Sequence, residues 1–230
     1  MENKTIYTAV GHLRKKHDGP GRTYPVIVMN QREYMMDMQE MAVWTALCWQ
    51  VLDLAKLRNR YATLSTSIPD TKRTLESSLL RLQSRGLVAS GCGTTDFDAL
   101  YDLLGGLYVV PILERFPLRV AAFCNLVLFK GVSYRQAATL FRKDLRSNEE
   151  SQVMALTRQA FLSTAELIKC MEMGVTDIST GDKIMAALYN DKHTTCDNIR
   201  FTMQGSRYQK PITMAVANLY LRKQIILQRL

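Results

Sequence analysis

Apolar residues recur at spacings of three and four from about residue 36 to residue 60, and this period predicts one long amphipathic helix. Leu75, Leu79 and Leu82 repeat the spacing and predict a second helix over residues 71–85, with Asp70 as its cap and Gly86 as its stop. Beyond Pro117 the pattern is helical almost to the end of the chain, with a closing helix from Pro211 onward.

Two short runs rich in β-branched and aromatic residues, Tyr24–Asn30 and Gly106–Ile112, predict strands, and Asn198–Met203 is a third candidate. No internal repeat is evident. The pattern therefore predicts a mainly α protein with a small β component. We expect two domains, residues 1–116 and residues 117–230, of which the second is all-helical.

The helix over residues 71–85 has two different faces. Its three leucines point inward, whereas Arg73, Ser77, Arg81 and Ser84 point outward at 100° per residue. The outward face is thus positively charged and rich in hydrogen-bonding groups, as expected for a surface that contacts a polyanion.

The segment Leu79-Leu-Arg-Leu-Gln-Ser-Arg-Gly-Leu-Val88 resembles the end of the recognition helix in winged helix-turn-helix transcription regulators. The resemblance covers residues 36–112. It implies a winged-helix-like DNA-binding domain over residues 1–116, in which the residues after Val88 form the wing. It further implies base contacts from Thr71, Lys72, Arg73 and Ser77 and phosphate contacts from Arg81 and Arg85.

Two features depart from the pattern of that family. The interval from Arg60 to Asp70 is short for a second helix, and the presumed wing carries Asp96, Asp98 and Asp102, which repel phosphate. Either the wing is turned away from DNA, or the acidic part is an inserted helix.

The charge of the chain agrees with an anionic partner. The formal net charge is +9, and residues 119–230 carry 16 basic and 9 acidic side chains, against 14 and 12 in residues 1–118. Arg14, Lys15 and Lys16 form a basic cluster near a Gly-rich turn, which predicts a basic arm.

Residues 118–146 contain a second candidate module. The run Gly131-Val-Ser-Tyr-Arg-Gln-Ala-Ala138 resembles the turn and capped helix of a simple helix-turn-helix, although an ordinary corner of a helical bundle is the preferred interpretation. If both modules bind DNA, the chain resembles a plasmid-type replication initiator.

Other kinds of function find little support in the sequence. The chain lacks P-loop, GxGxxG, GxSxG and HExxH motifs, and His193-Thr-Thr-Cys196 supplies only two metal ligands, so we expect no enzyme, no cofactor and no metal. The longest apolar run, residues 120–129, is too short to cross a bilayer, and residues 1–10 do not resemble a secretory signal. These features predict a cytoplasmic protein with free thiols and no membrane partner.

The sequence as a whole predicts a protein that binds double-stranded DNA in a sequence-specific way, as a transcriptional regulator with an unknown effector. The closing helix carries an apolar stripe that predicts a homodimer. The alternative is a helical adaptor for protein–protein interactions, which the acidic segment 96–102 and the small net charge of residues 1–118 favour.

Overall fold

The computed structural model describes residues 3–19, 22–66, 73–112, 146–191 and 193–230. The strands in these ranges are β1 (Lys4–Ala9), β2 (His12–Asp18), β3 (Arg22–Met29), β4 (Arg32–Tyr34), β5 (Leu52–Asp53), β6 (Val88–Gly93), β7 (Tyr108–Pro111), β8 (Leu162–Ser163) and β9 (Ile225–Gln228). The helices are α1 (Met38–Leu47), α2 (Leu54–Ser65), α3 (Leu75–Ser84), α4 (Asp96–Leu104), α5 (Asn148–Thr157), α6 (Thr164–Glu172), α7 (Gly181–Leu188), α8 (Ile199–Thr202) and α9 (Gln209–Leu221).

The fold is mixed α/β. Helices hold about 46% of the described residues and strands about 22%, in three small antiparallel sheets of order β5-β1-β6, β2-β3-β4 and β8-β7-β9. The prediction of a mainly α protein, with a winged-helix-like domain followed by an all-helical domain, is therefore wrong. Strands β8 and β9 both lie within residues 117–230, where a continuous helical pattern had suggested helices alone.

The expected wing is a helix. Strand β6 runs directly into α4, which Thr95 caps, so no hairpin follows the presumed recognition helix. Gly91 of β6 makes this packing possible, because a Cβ atom there would lie 2.3 Å from the Ala99 carbonyl oxygen. The acidic residues of this segment have internal partners: Asp96 pairs with Lys4, and Asp102 pairs with Arg200.

Two predicted helices are each interrupted. The first ends at Cys48, where Trp49 takes a left-handed backbone conformation (φ 53°), and a new helix starts after its cap, Asp53. The helical pattern also predicts one helix over about residues 148–170, which is divided between α5 and α6 because Ser163 caps α6 together with Glu166. The candidate strand Asn198–Met203 is also wrong, since these residues form α8.

The structure contains a repeat that the sequence analysis missed. The first unit consists of β1, α1, β5, α2, α3 and β6, and the second consists of β7, α5, β8, α6, α9 and β9. In each unit the first strand lies at the centre of a sheet, between a two-residue strand and the last strand. Strand β7 precedes the predicted boundary at residues 116/117, whereas its partners β8 and β9 follow that boundary.

The two units also match in register. Ile6 pairs with Asp53 and Gly91 in the first sheet, as Tyr108 pairs with Ser163 and Gln228 in the second. The Val10 amide donates to the Leu87 carbonyl over 2.9 Å, and the Ile112 amide donates to the Gln224 carbonyl over the same distance. Agreement in several independent pairings shows that the repeat extends to individual residues.

A buried ion pair recurs in both units. Glu40 in the first turn of α1 accepts from Arg85 at the end of α3, and Glu150 in the first turn of α5 accepts from Arg222 at the end of α9. Both contacts join Nη1 to Oε2 over 3.0 Å, and the two glutamate side chains are 2% and 3% exposed. Each carboxylate also closes the capping box of its own helix, so the pair fixes the first helix of a unit against the last.

One hydroxyl group joins the two units. Tyr220 of α9 is buried, donates to the Ala9 carbonyl over 3.1 Å and accepts from the Trp49 amide over 3.0 Å. The Thr8 hydroxyl lies 3.0 Å from the same oxygen. All three partners belong to the first unit, so α9, which is part of the second unit, also contacts the first.

The apolar stripe of the closing helix faces the interior of its own chain. Ile212, Val216 and Leu219 of α9 are buried in the core that the two units share. These residues therefore do not form an exposed dimer interface, and the predicted homodimer stays a prediction.

We predict that Arg222→Ala lowers the free energy of unfolding by about 3 kcal/mol, because it leaves the Glu150 carboxylate buried without its cation. The matched control is Arg58→Ala, since Arg58 pairs with the half-exposed Glu76 and should cost less than about 1 kcal/mol. Urea denaturation measures both values. Equal losses for the two variants would contradict a structural role for the buried pair.

Candidate nucleic-acid interface

Helix α3 places one face in the core and the other in solvent, as predicted. Leu75, Leu79 and Leu82 are buried, and the helix packs on α1 and β6. It starts after its cap, Thr74, whose hydroxyl accepts from the Ser77 amide over 3.2 Å. The prediction that this helix starts at residue 71 with Asp70 as its cap is therefore wrong, because the backbone of Thr74 is extended. Asp70 and the predicted base contacts Thr71 and Lys72 lie outside the described residues.

Arg73 and Ser77 lie at the N-terminal end of this exposed face. The Arg73 guanidinium pairs with Asp37, which caps α1, and the Arg73 carbonyl accepts from the Gln39 side chain over 3.2 Å. Ser77 is exposed. The structure thus fixes Arg73 at the start of α3 while two-fifths of its side chain remains accessible to solvent.

Arg81 and Arg85 share one buried carboxylate. Arg81 Nε lies 2.8 Å from Glu40 Oε1, and Arg85 binds the other oxygen of Glu40. Arg85 also donates to the Met35 carbonyl, and its guanidinium lies 5.8 Å from the ring centre of Tyr34. Arg85 is therefore mainly a structural residue, whereas half of the Arg81 side chain is exposed.

The basic cluster near the N-terminus belongs to a sheet. Arg14, Lys15 and Lys16 lie on β2, paired with Val26, Pro25 and Tyr24 of β3. Because side chains alternate along a strand, Arg14 and Lys16 share the sheet face of Glu33, which pairs with Lys16. Lys15 lies on the opposite face, which is the face that Tyr34 presents to Arg85. The predicted arm is thus a β-ribbon that extends from the C-terminal end of α3.

One apolar residue interrupts the exposed face of α3. Leu80 is 66% exposed, next to Arg81 and one turn from Ser77 and Ser84. A single exposed leucine is common on protein surfaces. In this position it adds an apolar contact to a polar face that also carries the acidic Glu76, which pairs with Arg58 of α2.

The second unit does not present an equivalent basic face. The residues of α9 that match Arg73, Ser77 and Ser84 of α3 are Lys210, Met214 and Leu221. Met214 and Leu221 are 41% and 46% exposed. In the part of the chain that the structure describes, only the first unit therefore has hydroxyl and guanidinium groups at these exposed helix positions.

A polar network in the second unit connects α6 to the segment after α7. The Lys169 ammonium is buried and binds Asp191 and the Thr194 hydroxyl, and the Tyr189 hydroxyl donates to Glu166 over 2.6 Å. The hydrogen bond from Lys169 holds the pKa of Asp191 well below its ordinary value, and burial raises the pKa of Tyr189. The buried polar groups of this network thus form hydrogen bonds with one another, as expected for a structural role.

The thiols and histidines of the described ranges form no obvious reactive site. Burial raises the pKa of Cys48 to about 11 and that of Cys170 to about 12, so both are thiols at neutral pH. Cys92 and Cys196 are free and exposed, and Cys124 lies outside the described residues. In the part of the chain that the structure describes, no three histidine, cysteine or carboxylate side chains are grouped as metal ligands.

Comparisons with known proteins found no relative of this chain. No protein-family model matches the chain, no curated protein is significantly similar, and no solved structure has a significantly similar fold. Each described helix is too short or too polar to span a bilayer. The cytoplasmic location stays a prediction.

The network around Asp191 leads to a prediction of pH dependence. Because folding lowers the pKa of this carboxyl below 3.8, the network stabilises the protein above that pH and loses this contribution as the pH falls. We expect Asp191→Asn to lower the free energy of unfolding at pH 6, and the difference from the wild type to shrink toward pH 3. Urea denaturation across this range measures it.

The largest cause of the lowered pKa is Lys169, so a Lys169→Met background should make the effect of Asp191→Asn smaller and less dependent on pH. A difference that persists unchanged down to pH 3 would contradict the assignment.

Proposed function

We propose that this protein binds double-stranded DNA through the exposed face of α3, assisted by the ribbon of β2 and β3, and acts as a sequence-specific transcriptional regulator. The observation that carries the proposal is the exposed face of α3, with Ser77 and Arg81 one turn apart, Arg73 just before the cap of the helix and the basic strand β2 beyond its C-terminal end. An α-helix fits the major groove, where arginine reads guanine edges and hydroxyl groups make less specific contacts.

The internal ion pairs change the roles that the sequence suggested for the arginines. Arg73 is held by Asp37 at the end of α3 that enters a groove first in most DNA-binding helices, so it is positioned before DNA arrives. Arg81 and Arg85 are partly neutralised by Glu40 and contribute less to phosphate binding than free arginines. Lys15 of the ribbon, on the sheet face that Tyr34 presents to Arg85, therefore supplies part of the electrostatic attraction.

A helical adaptor is the second candidate. Two observations favour it: the exposed Leu80 offers an apolar contact to a protein partner, and Asp37 and Glu40 reduce the charge of the three arginines with which they pair. A replication initiator with two DNA-binding modules depends on residues 118–146, of which only Arg146 lies in the described ranges.

The first test is the salt dependence of binding. If about six phosphates are neutralised, the logarithm of the affinity should fall with the logarithm of the salt concentration at a slope near −5. Fluorescence anisotropy with labelled random-sequence duplexes, from low salt upward, measures the slope. No binding even at low salt would refute the DNA-binding function and favour the adaptor.

The second test concerns Arg73. We predict that Arg73→Ala weakens binding to a selected duplex by about 1–3 kcal/mol and reduces discrimination between sequences, because one guanidinium–base contact is lost. The control is Lys183→Ala, which removes one exposed cation from α7 in the second unit. Equal losses for the two variants would show that Arg73 contributes only charge.

A further inference from the structure

Three arginines line a cleft at the C-terminal end of α3. The cleft has a volume of about 290 Å³ and lies between the β3–β4 turn, the end of α3 and the residues after β9. Arg32, Arg85 and Arg229 line it, and no aspartate or glutamate of the described ranges does. The volume is slightly below the range of small-molecule sites, about 300–1,000 Å³, so a phosphate with little more than its sugar fits.

The backbone fixes the position of each arginine. Arg32 follows a two-residue turn in which Asn30 and Gln31 both have positive φ, 47° and 60°, as a tight turn between twisted strands requires. Arg229 directly follows β9, and its Cδ would lie 3.8 Å from a Cβ atom on Gly86, so its side chain crosses the end of α3. Three segments that are distant in sequence thus meet at this cleft.

The charges of the cleft are only partly compensated. Arg85 is neutralised by Glu40, and Glu33 beside Arg32 pairs with Lys16 on the opposite face of the sheet. Among the described residues, Arg32 and Arg229 have no hydrogen-bond or ion-pair partner, and both are exposed. Two guanidinium groups therefore line one cleft in which neither is paired with an aspartate or glutamate of the described residues.

We propose that Arg32 and Arg229 bind a phosphate group in this cleft, and that this phosphate belongs to the backbone of the DNA that α3 contacts. The inference rests on the proposed function. Guanidinium groups bind phosphate oxygens through paired N–H donors, and phosphate contacts fix the position of a protein on the duplex without reading its sequence. The cleft lies at the end of the exposed α3 face, where a helix in the major groove meets the flanking backbone.

Two sets of arginines then have different roles in DNA binding. Arg73 at the start of α3 contacts bases, whereas Arg32 and Arg229 hold the backbone at the opposite end of the helix. Arg85, which the sequence assigned to phosphate, serves as the fixed wall of the cleft between β4 and α3.

The experiment compares the wild type with Arg32→Ala/Arg229→Ala. We expect the double variant to bind all duplex sequences more weakly, with a salt slope about 1 lower in magnitude, because one phosphate is no longer neutralised. Arg32→Lys/Arg229→Lys should keep most of the slope. Lys183→Ala/Arg158→Ala removes two cations elsewhere and should leave the slope nearly unchanged, and circular dichroism confirms that each variant is folded.

Calorimetry with inorganic phosphate and with a nucleoside monophosphate distinguishes a free phosphate from the DNA backbone. Weak binding of both probes together with the loss of slope supports the proposal. An unchanged slope in a double variant that still binds DNA overturns it and leaves the proposed function intact. Monophosphate binding that the double variant loses, with an unchanged slope, overturns the DNA role and assigns the cleft to a small ligand. If the wild type does not bind DNA, the proposed function fails, and the DNA-backbone role fails with it.

Discussion

The buried contact between a glutamate in the first turn of one helix and an arginine at the end of another is the interaction on which this fold depends. It occurs once in each unit, as Glu40 with Arg85 and as Glu150 with Arg222, with the same atoms and the same distance. A carboxylate that is almost fully buried requires a cation and hydrogen-bond donors, and here both are supplied by helix ends. Each unit therefore contains one buried glutamate carboxylate whose pairing with an arginine is needed for stability.

This arrangement also limits the surface that α3 offers to a partner. Arg85, and in part Arg81, are needed for Glu40, so the charge that remains for an anionic ligand comes from other parts of the chain. The ribbon supplies Lys15, and the first residue of β4 is Arg32. The basic surface is therefore formed by segments that are distant in sequence and that the fold brings together.

The local features of the fold were predictable, and the long-range ones were not. The leucine spacing and the Gly-Leu-Val exit predicted α3, and the β-prone run before Ile112 predicted β7, because both signals lie within about ten residues. The repeat was hidden because only five of 25 positions in segments 37–61 and 147–171 are identical. The residue with positive φ that follows the helix is Gly86 after α3 but Lys223 after α9, so the residue type that marks the helix end also differs. The candidate arginines of α3 were visible in the sequence, whereas their partners Asp37 and Glu40 lie 36 to 45 residues away and carry no local signal.

The Tyr220 hydroxyl has a consequence for how the chain behaves as a whole. A fragment that ends before α9 would leave the Ala9 carbonyl and the Trp49 amide without the partner they share in the intact protein. An uncompensated buried polar group costs about 1–3 kcal/mol, a large part of the stability of a small domain. The halves are therefore expected to melt in a single cooperative transition, and the N-terminal half should not be separable as an autonomous module.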